Sequence, residues 1–181
     1  MRILGIDPGY AIVGWGVIQA EQGRMQALEY GAITTDAHTL FESRLVSVYD
    51  QMVELLDRTR PQAVAIETLF FTTNRTTAIY VAQARGVILL SATQRGIPVY
   101  EYSPMQVKQA VAGYGKAVKK QVQEMTRRIL ALPQIPKPDD TADALAMAIC
   151  HANSCRSQLF GRTGSVNVYN LRGAQLKEYK K

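Results

Sequence analysis

Apolar positions along this chain change their period several times, and each change marks an element. Arg2–Asp7 is apolar without a break from Ile3 to Ile6, the pattern of a buried strand. Ile12–Ala20 and Gln26–Thr34 follow as extended segments, parted by Glu21-Gln22-Gly23-Arg24, a turn by composition. Such short connections predict an antiparallel meander. The spacing then becomes helical: Leu40, Leu45, Val48, Met52, Leu55 and Leu56 form one stripe, which ends before Pro61. Gln62–Glu67 is a second short apolar run and hence a buried strand.

Thr76–Arg95 is apolar over most of its circumference, so it predicts a helix covered on several sides. In a chain this small one of those sides is expected to be a homodimer interface, with Val81 and Leu89 as the first candidates to point outward. Gly86 in its middle lowers helix propensity and suits the close approach of another backbone. Ile97–Tyr102 predicts a strand. Ser103 then reads as an N-cap, with Pro104 at the first helical position of a helix to about Ala112. Gly113-Tyr114-Gly115 breaks that helix, Ala117–Leu130 resumes, and Pro133, Pro136 and Pro138 form a stiff link to a last helix over Asp139–Asn153. The order is β-β-β-α-β-α-β-α-α-α. Periodicity is lost after Ser157. The expected organisation is one domain over residues 1–156 and a basic, disordered tail over 157–181.

Composition narrows the class. The 181 residues are 47% hydrophobic and 20% charged, which are globular values. No apolar run is long enough for a bilayer span. Met1-Arg2-Ile3 enters a strand with no signal-peptide pattern, and Cys150 and Cys155 make no disulfide framework. The expectation is a cytoplasmic protein. The two thiols also match no common zinc spacing. The net charge of +6 is unevenly placed: residues 151–181 hold six basic side chains and one acidic. Met105–Arg128 carries Lys108, Lys116, Lys119, Lys120, Arg127 and Arg128 against Glu124 alone. Taken singly, that run is a solvated helix face. Beside gathered carboxylates it points to a polyanionic partner.

Those carboxylates are Asp7, Glu67, Asp140 and Asp143. Asp7 and Glu67 each end a buried strand, and Asp140 and Asp143 share one face at the start of a helix. If the two strands are neighbours, all four converge at one end of the sheet. Crowded carboxylates repel unless they share protons or hold cations. An all-oxygen ligand set suits Mg²⁺ or Mn²⁺, and two such ions about 4 Å apart are what phosphodiester hydrolysis uses. Asp139 reads as a helix cap or a solvated charge.

The element order is that of the ribonuclease H-like fold, an α/β architecture with a five-stranded mixed sheet: a three-strand antiparallel meander plus two parallel strands, flanked by helices. Gly5-Ile6-Asp7-Pro8-Gly9, Ala65-Ile66-Glu67 and Asp140-Thr141-Ala142-Asp143-Ala144-Leu145-Ala146 resemble the RuvC family of Holliday junction resolvases, as do Val107-Lys108-Gln109 and Lys119-Lys120-Gln121-Val122. The resemblance covers residues 1–152. It implies a metal-dependent endodeoxyribonuclease that leaves 5′-phosphate ends, with Asp7, Glu67, Asp140 and Asp143 as metal ligands. It implies Lys108 and Lys119 beside the scissile phosphate and DNA backbone, and Phe70 stacking on bases near the junction centre. Phe71, Lys116 and Lys120 are further candidate DNA contacts by position. The partners implied are four-way junction DNA and the RuvA–RuvB branch-migration machinery.

Two other classes compete. An actin-like ATPase shares the first loop, but needs a second domain for which 181 residues leave no room. A non-catalytic branched-DNA-binding module would use the lysines but gain nothing from four gathered negative charges.

Overall fold

A single mixed sheet positions everything else. Its strands are β1 (Arg2–Asp7), β2 (Ile12–Glu21), β3 (Arg24–Thr34), β4 (Ala63–Glu67), β5 (Val99–Tyr102) and β6 (Asn167–Tyr169), in the spatial order β3-β2-β1-β4-β5-β6. The computed structural model describes residues 1–69, 75–159 and 167–169. Strands β1, β2 and β3 form the expected antiparallel meander, and β4 and β5 extend it in parallel to β1. The sixth strand was not expected. It lies within the stretch read as a tail and pairs antiparallel with β5, Val99 opposite Tyr169.

Among the described residues five helices cover the two faces: α1 (Phe41–Thr59), α2 (Arg75–Gln94), α3 (Pro104–Ala112), α4 (Lys119–Ile129) and α5 (Asp139–Leu159). The helix α5 runs past Asn153, where the sequence pattern placed its end. The period-2 alternation of β1 sorts its side chains between two cores. Ile3 joins Ala65 and residues of α3–α5 in one, whereas Leu4 and Ile6 join α1 and α2 in the other. Asp7 and Glu67 continue the odd-numbered series. They therefore project on the α5 side.

That side is unusually close to the sheet. A Cβ built on Gly5 would stand 1.9 Å from the Ala144 carbonyl oxygen, and one on Gly14 would stand 2.1 Å from the Asp140 carbonyl oxygen. Only glycine lets α5 settle at this depth. Its first turn is pinned there by Thr141, which is fully buried and donates its hydroxyl to the Gly31 carbonyl at 3.0 Å. The start of α3 is fixed as the sequence suggests. Ser103 Oγ accepts from the Gln106 amide, and Gln106 Oε1 accepts from the Ser103 amide, with Pro104 in the first turn.

The helix α2 buries Ala84, Ile88 and Ala92. Its outward positions are not Val81 and Leu89, which are half-buried, Leu89 against the α1–α2 core. The 100° step of the helix instead turns Ile79, Gln83, Gly86 and Leu90 outward on one stripe, with Ile79 59% and Leu90 51% exposed. Gly86 meets nothing within 4 Å among the described residues.

Candidate active site

Adjacent parallel strands deliver the first two carboxylates. Ile6 is paired with Ile66, so Asp7 and Glu67 emerge side by side from the carboxyl ends of β1 and β4, the edge at which open α/β sheets build their sites. The close seating of α5 delivers the other two from its first turns. Asp7, Glu67 and Asp143 share the wall of a cavity of about 220 Å³ with Lys108 and Lys119, over an apolar floor that includes Val107, Val122 and Met147. Asp140 stands beside them above Gly14, near enough for its charge to act on Asp7 and Asp143. The four carboxylates expected to converge are thus brought together.

Their ionisation reports the crowding. Asp7 is pushed up to about 7, by burial first and then by Glu67, Asp143 and Asp140. Glu67 is raised by burial and by Asp143. Asp143 is raised by burial, against the pull of Lys119. A set of anions this costly to keep charged fits cations, and the donor set is oxygen alone. Among the described residues no three acidic, His or Cys side chains are already drawn tightly enough to hold an ion. Lys119 supplies positive charge instead: its Nζ lies 2.8 Å from Asp143 Oδ2 and 3.8 Å from Asp139 Oδ2.

The remaining sequence candidates divide. Lys108 lines the cavity, while Lys116 and Lys120 are exposed on the same side of the sequence break and line no part of it. Phe70 and Phe71 lie outside the described residues. Asp139 is solvated at the start of α5, 2.6 Å from Lys137 Nζ, which holds its carboxyl below the usual range. A groove of about 630 Å³ continues from the cavity past Pro8, Glu67, Thr68, Pro104 and Met105.

Two features were missed in the sequence. Arg85 on α2 donates through Nε to the Glu67 carbonyl at 3.2 Å and is ion-paired with Glu101. The signal was a charge in the middle of a helix apolar nearly all round. His151 is buried, with Nδ1 2.7 Å from the Tyr102 hydroxyl and Nε2 3.4 Å from Cys155 Sγ, and burial pushes the imidazole down to about 4.

A family model described as crossover junction endodeoxyribonuclease RuvC matches residues 3–151. This chain belongs to the RuvC family. The RuvC protein of Desulfitobacterium hafniense is 56% identical over 176 residues, covering 97% of this chain and all of that one. Among solved structures, Thermus thermophilus RuvC in complex with a Holliday junction substrate is 40% identical. It superposes with a TM-score of 0.83 over 87% of this chain and 96% of that one. A yeast mitochondrial Holliday junction resolvase shares the fold at 15% identity, with a TM-score of 0.60 over 87% of this chain and 81% of that one. RuvC nucleases depend on divalent metal. No described helix is long and apolar enough to cross a membrane.

Proposed function

We propose that this RuvC protein resolves four-way DNA junctions by paired symmetric nicks, as a homodimer that uses Mg²⁺ or Mn²⁺, two ions per subunit. The observation that carries this is the meeting of Asp7, Glu67, Asp140 and Asp143 beside two lysines. When bound, the ions supply a hydroxide nucleophile and stabilise the leaving 3′-oxygen. The protein's own groups do the rest. The four carboxylates would hold the cations, and Asp7, pushed up to about 7 by burial and its neighbours, would have to be deprotonated to do so. Lys119 and Lys108 hold the scissile phosphate and offset its charge. Phe70 stacks on bases at the junction centre, with Phe71, Lys116 and Lys120 along the DNA path. The apolar floor beneath Asp7 and Asp143 limits water and strengthens these charge interactions.

A junction is nearly two-fold symmetric, so a C2 dimer presents two identical sites to it. The stripe Ile79, Gln83, Gly86 and Leu90 is the surface that would pair, with Gly86 allowing close approach. We further propose a nuclease domain that runs through all of α5 and takes in β6 rather than ending at residue 156, cytoplasmic work on DNA, and RuvA–RuvB as partner machinery. The test is a gel assay of a synthetic mobile junction against linear duplex, in Mg²⁺, Mn²⁺ or EDTA. Junction-selective nicking in either metal, abolished by EDTA and by Asp7→Asn or Glu67→Gln, is expected. Near wild-type nicking by either variant overturns the metal assignment. Equal cutting of linear duplex overturns the substrate.

A further inference from the structure

We propose that Arg85 is a positioning residue for Glu67, replacing a backbone donor that the chain gave up at Pro8. The proposal rests on the reading of Glu67 as a metal ligand.

The parallel ladder between β1 and β4 runs from Ile3 opposite Ala63 to Ile6 opposite Ile66, and stops there. In a parallel pair, each carbonyl facing the partner strand accepts from the amide one residue beyond its opposite number. The β4 amides of Val64 and, just past the strand, Thr68 donate to Pro98 and Tyr102 on the β5 side. By alternation, the Glu67 carbonyl faces β1. Its next ladder donor would be the amide of residue 8. Residue 8 is proline and has no N–H.

A backbone carbonyl left without a donor beside a buried site is costly and free to turn. Here Arg85 fills the place, its Nε donating to that carbonyl at 3.2 Å. The guanidinium is itself held. Its Nη2 donates to Glu101 Oε1, and the two side chains are only 12% and 10% exposed. Glu101 sits opposite Ile66 in the β4–β5 ladder, one residue from the ligand. The planar fork of arginine therefore ties helix α2, strand β5 and the peptide of Glu67 into one unit. Lysine, a single point donor, can keep the charge beside Glu101 but cannot span both partners.

Partners that orient metal ligands typically contribute 10–100-fold to metal affinity. The test is titration calorimetry of metal-free protein with MnCl₂, alongside thermal melts and junction binding in EDTA. Arg85→Lys is expected to weaken Mn²⁺ binding by about tenfold or more, with a cooperative melt retained at a somewhat lower temperature and EDTA-condition junction affinity close to wild type. The paired variant Arg85→Met with Glu101→Gln removes both charges together, so no buried charge is stranded. It is expected to lose Mn²⁺ affinity to the same degree, and it decides the matter should Arg85→Lys not fold. Mn²⁺ affinity within about twofold of wild type in a folded form of either variant overturns the positioning role. Glu67→Gln is the control. If it loses Mn²⁺ affinity while the Arg85 variants do not, only this proposal fails. If it binds Mn²⁺ as the wild type does, the metal assignment of Glu67 fails with it.

Discussion

Gly5 lies so near Ala144 that a single added methyl group would overlap the Ala144 carbonyl oxygen, at 1.9 Å. The obstacle is helix backbone rather than a side chain that could turn aside. The depth of that contact sets how far Asp140 and Asp143 reach towards Asp7.

Gly5→Ala should therefore lift α5 off the sheet and spread the carboxylates. Overpacking of this kind costs roughly 1–3 kcal/mol or more, a fall in melting temperature of several degrees for a chain this long. Cleavage should fall further than stability does. Melting and junction nicking measured on one preparation check this. A variant with full activity would show that the helix can shift without opening the site.

The metal-free protein should lose stability as pH rises. The folded carboxyl of Asp7 titrates at about 7 against an ordinary 3.8, so the folded form holds its proton more tightly than the unfolded chain. Its contribution is full below about pH 4 and lost as pH rises through about 7, on the order of 4 kcal/mol as an upper figure. Glu67 and Asp143 shift the same way. Glu124, pulled down to about 2 by Arg127 and Arg128, has the opposite sign but has finished titrating by pH 5. His151, pushed down to about 4 by burial, also has the opposite sign and titrates in the unfolded chain near 6.5. The Asp7 effect is therefore read as the difference between wild type and Asp7→Asn. Melts in EDTA at pH 5.5 and 8 should show the higher melting temperature at pH 5.5, and Asp7→Asn should flatten the difference. Added Mn²⁺ should stabilise more at pH 8, since the ligands must be deprotonated to bind it. An Asp7→Asn variant whose melting temperature changes between pH 5.5 and 8 just as the wild type's does would contradict the raised Asp7 carboxyl.

Much of this was legible beforehand. Apolar runs ending abruptly in Asp7 and Glu67 located two strand ends, while the face they share followed only from the packing of Ile3 and Ala65 against α3–α5. The three-residue step from Asp140 to Asp143 gave a helical face. Ser103-Pro104 announced a capped helix start. What stayed hidden depended on distance between elements. Gly14 and Gly16 were visible only as interruptions of a strand, because nothing in a linear pattern says that a helix will lie against them. The outward stripe of α2 was misplaced because a helix apolar on nearly every side does not reveal which side meets the core. The pairing of Asn167–Tyr169 with β5 involves so short a stretch that no period could announce it.

Lys119→Ala should act on both metal-free folding and DNA binding. Its ammonium lies 2.8 Å from Asp143 Oδ2, and the side chain is 56% exposed, so the folding effect should be small. Loss of one phosphate contact should reduce the log–log salt slope of junction binding by about 0.9. Junction affinities measured across a salt series check this. An unchanged slope would leave Lys119 as a partner of Asp143 alone.

Leu90→Glu should give folded monomers. The side chain is half in solvent, so a charge there disturbs a partner surface and not the core. Leu89→Glu, one position back, points into the α1–α2 core and should cost several kcal/mol of stability. Sedimentation and melting of the two variants separate these outcomes. A Leu90→Glu protein that sediments as a dimer would move the interface elsewhere.

The four carboxylates are drawn from opposite ends of the fold's history: Asp7 from the first strand made, Asp140 and Asp143 from the last long helix. A chain without α5 can bring only Asp7 and Glu67 to the sheet edge, so the set of four depends on the last long helix. The cluster is complete only when α5 docks onto its glycines.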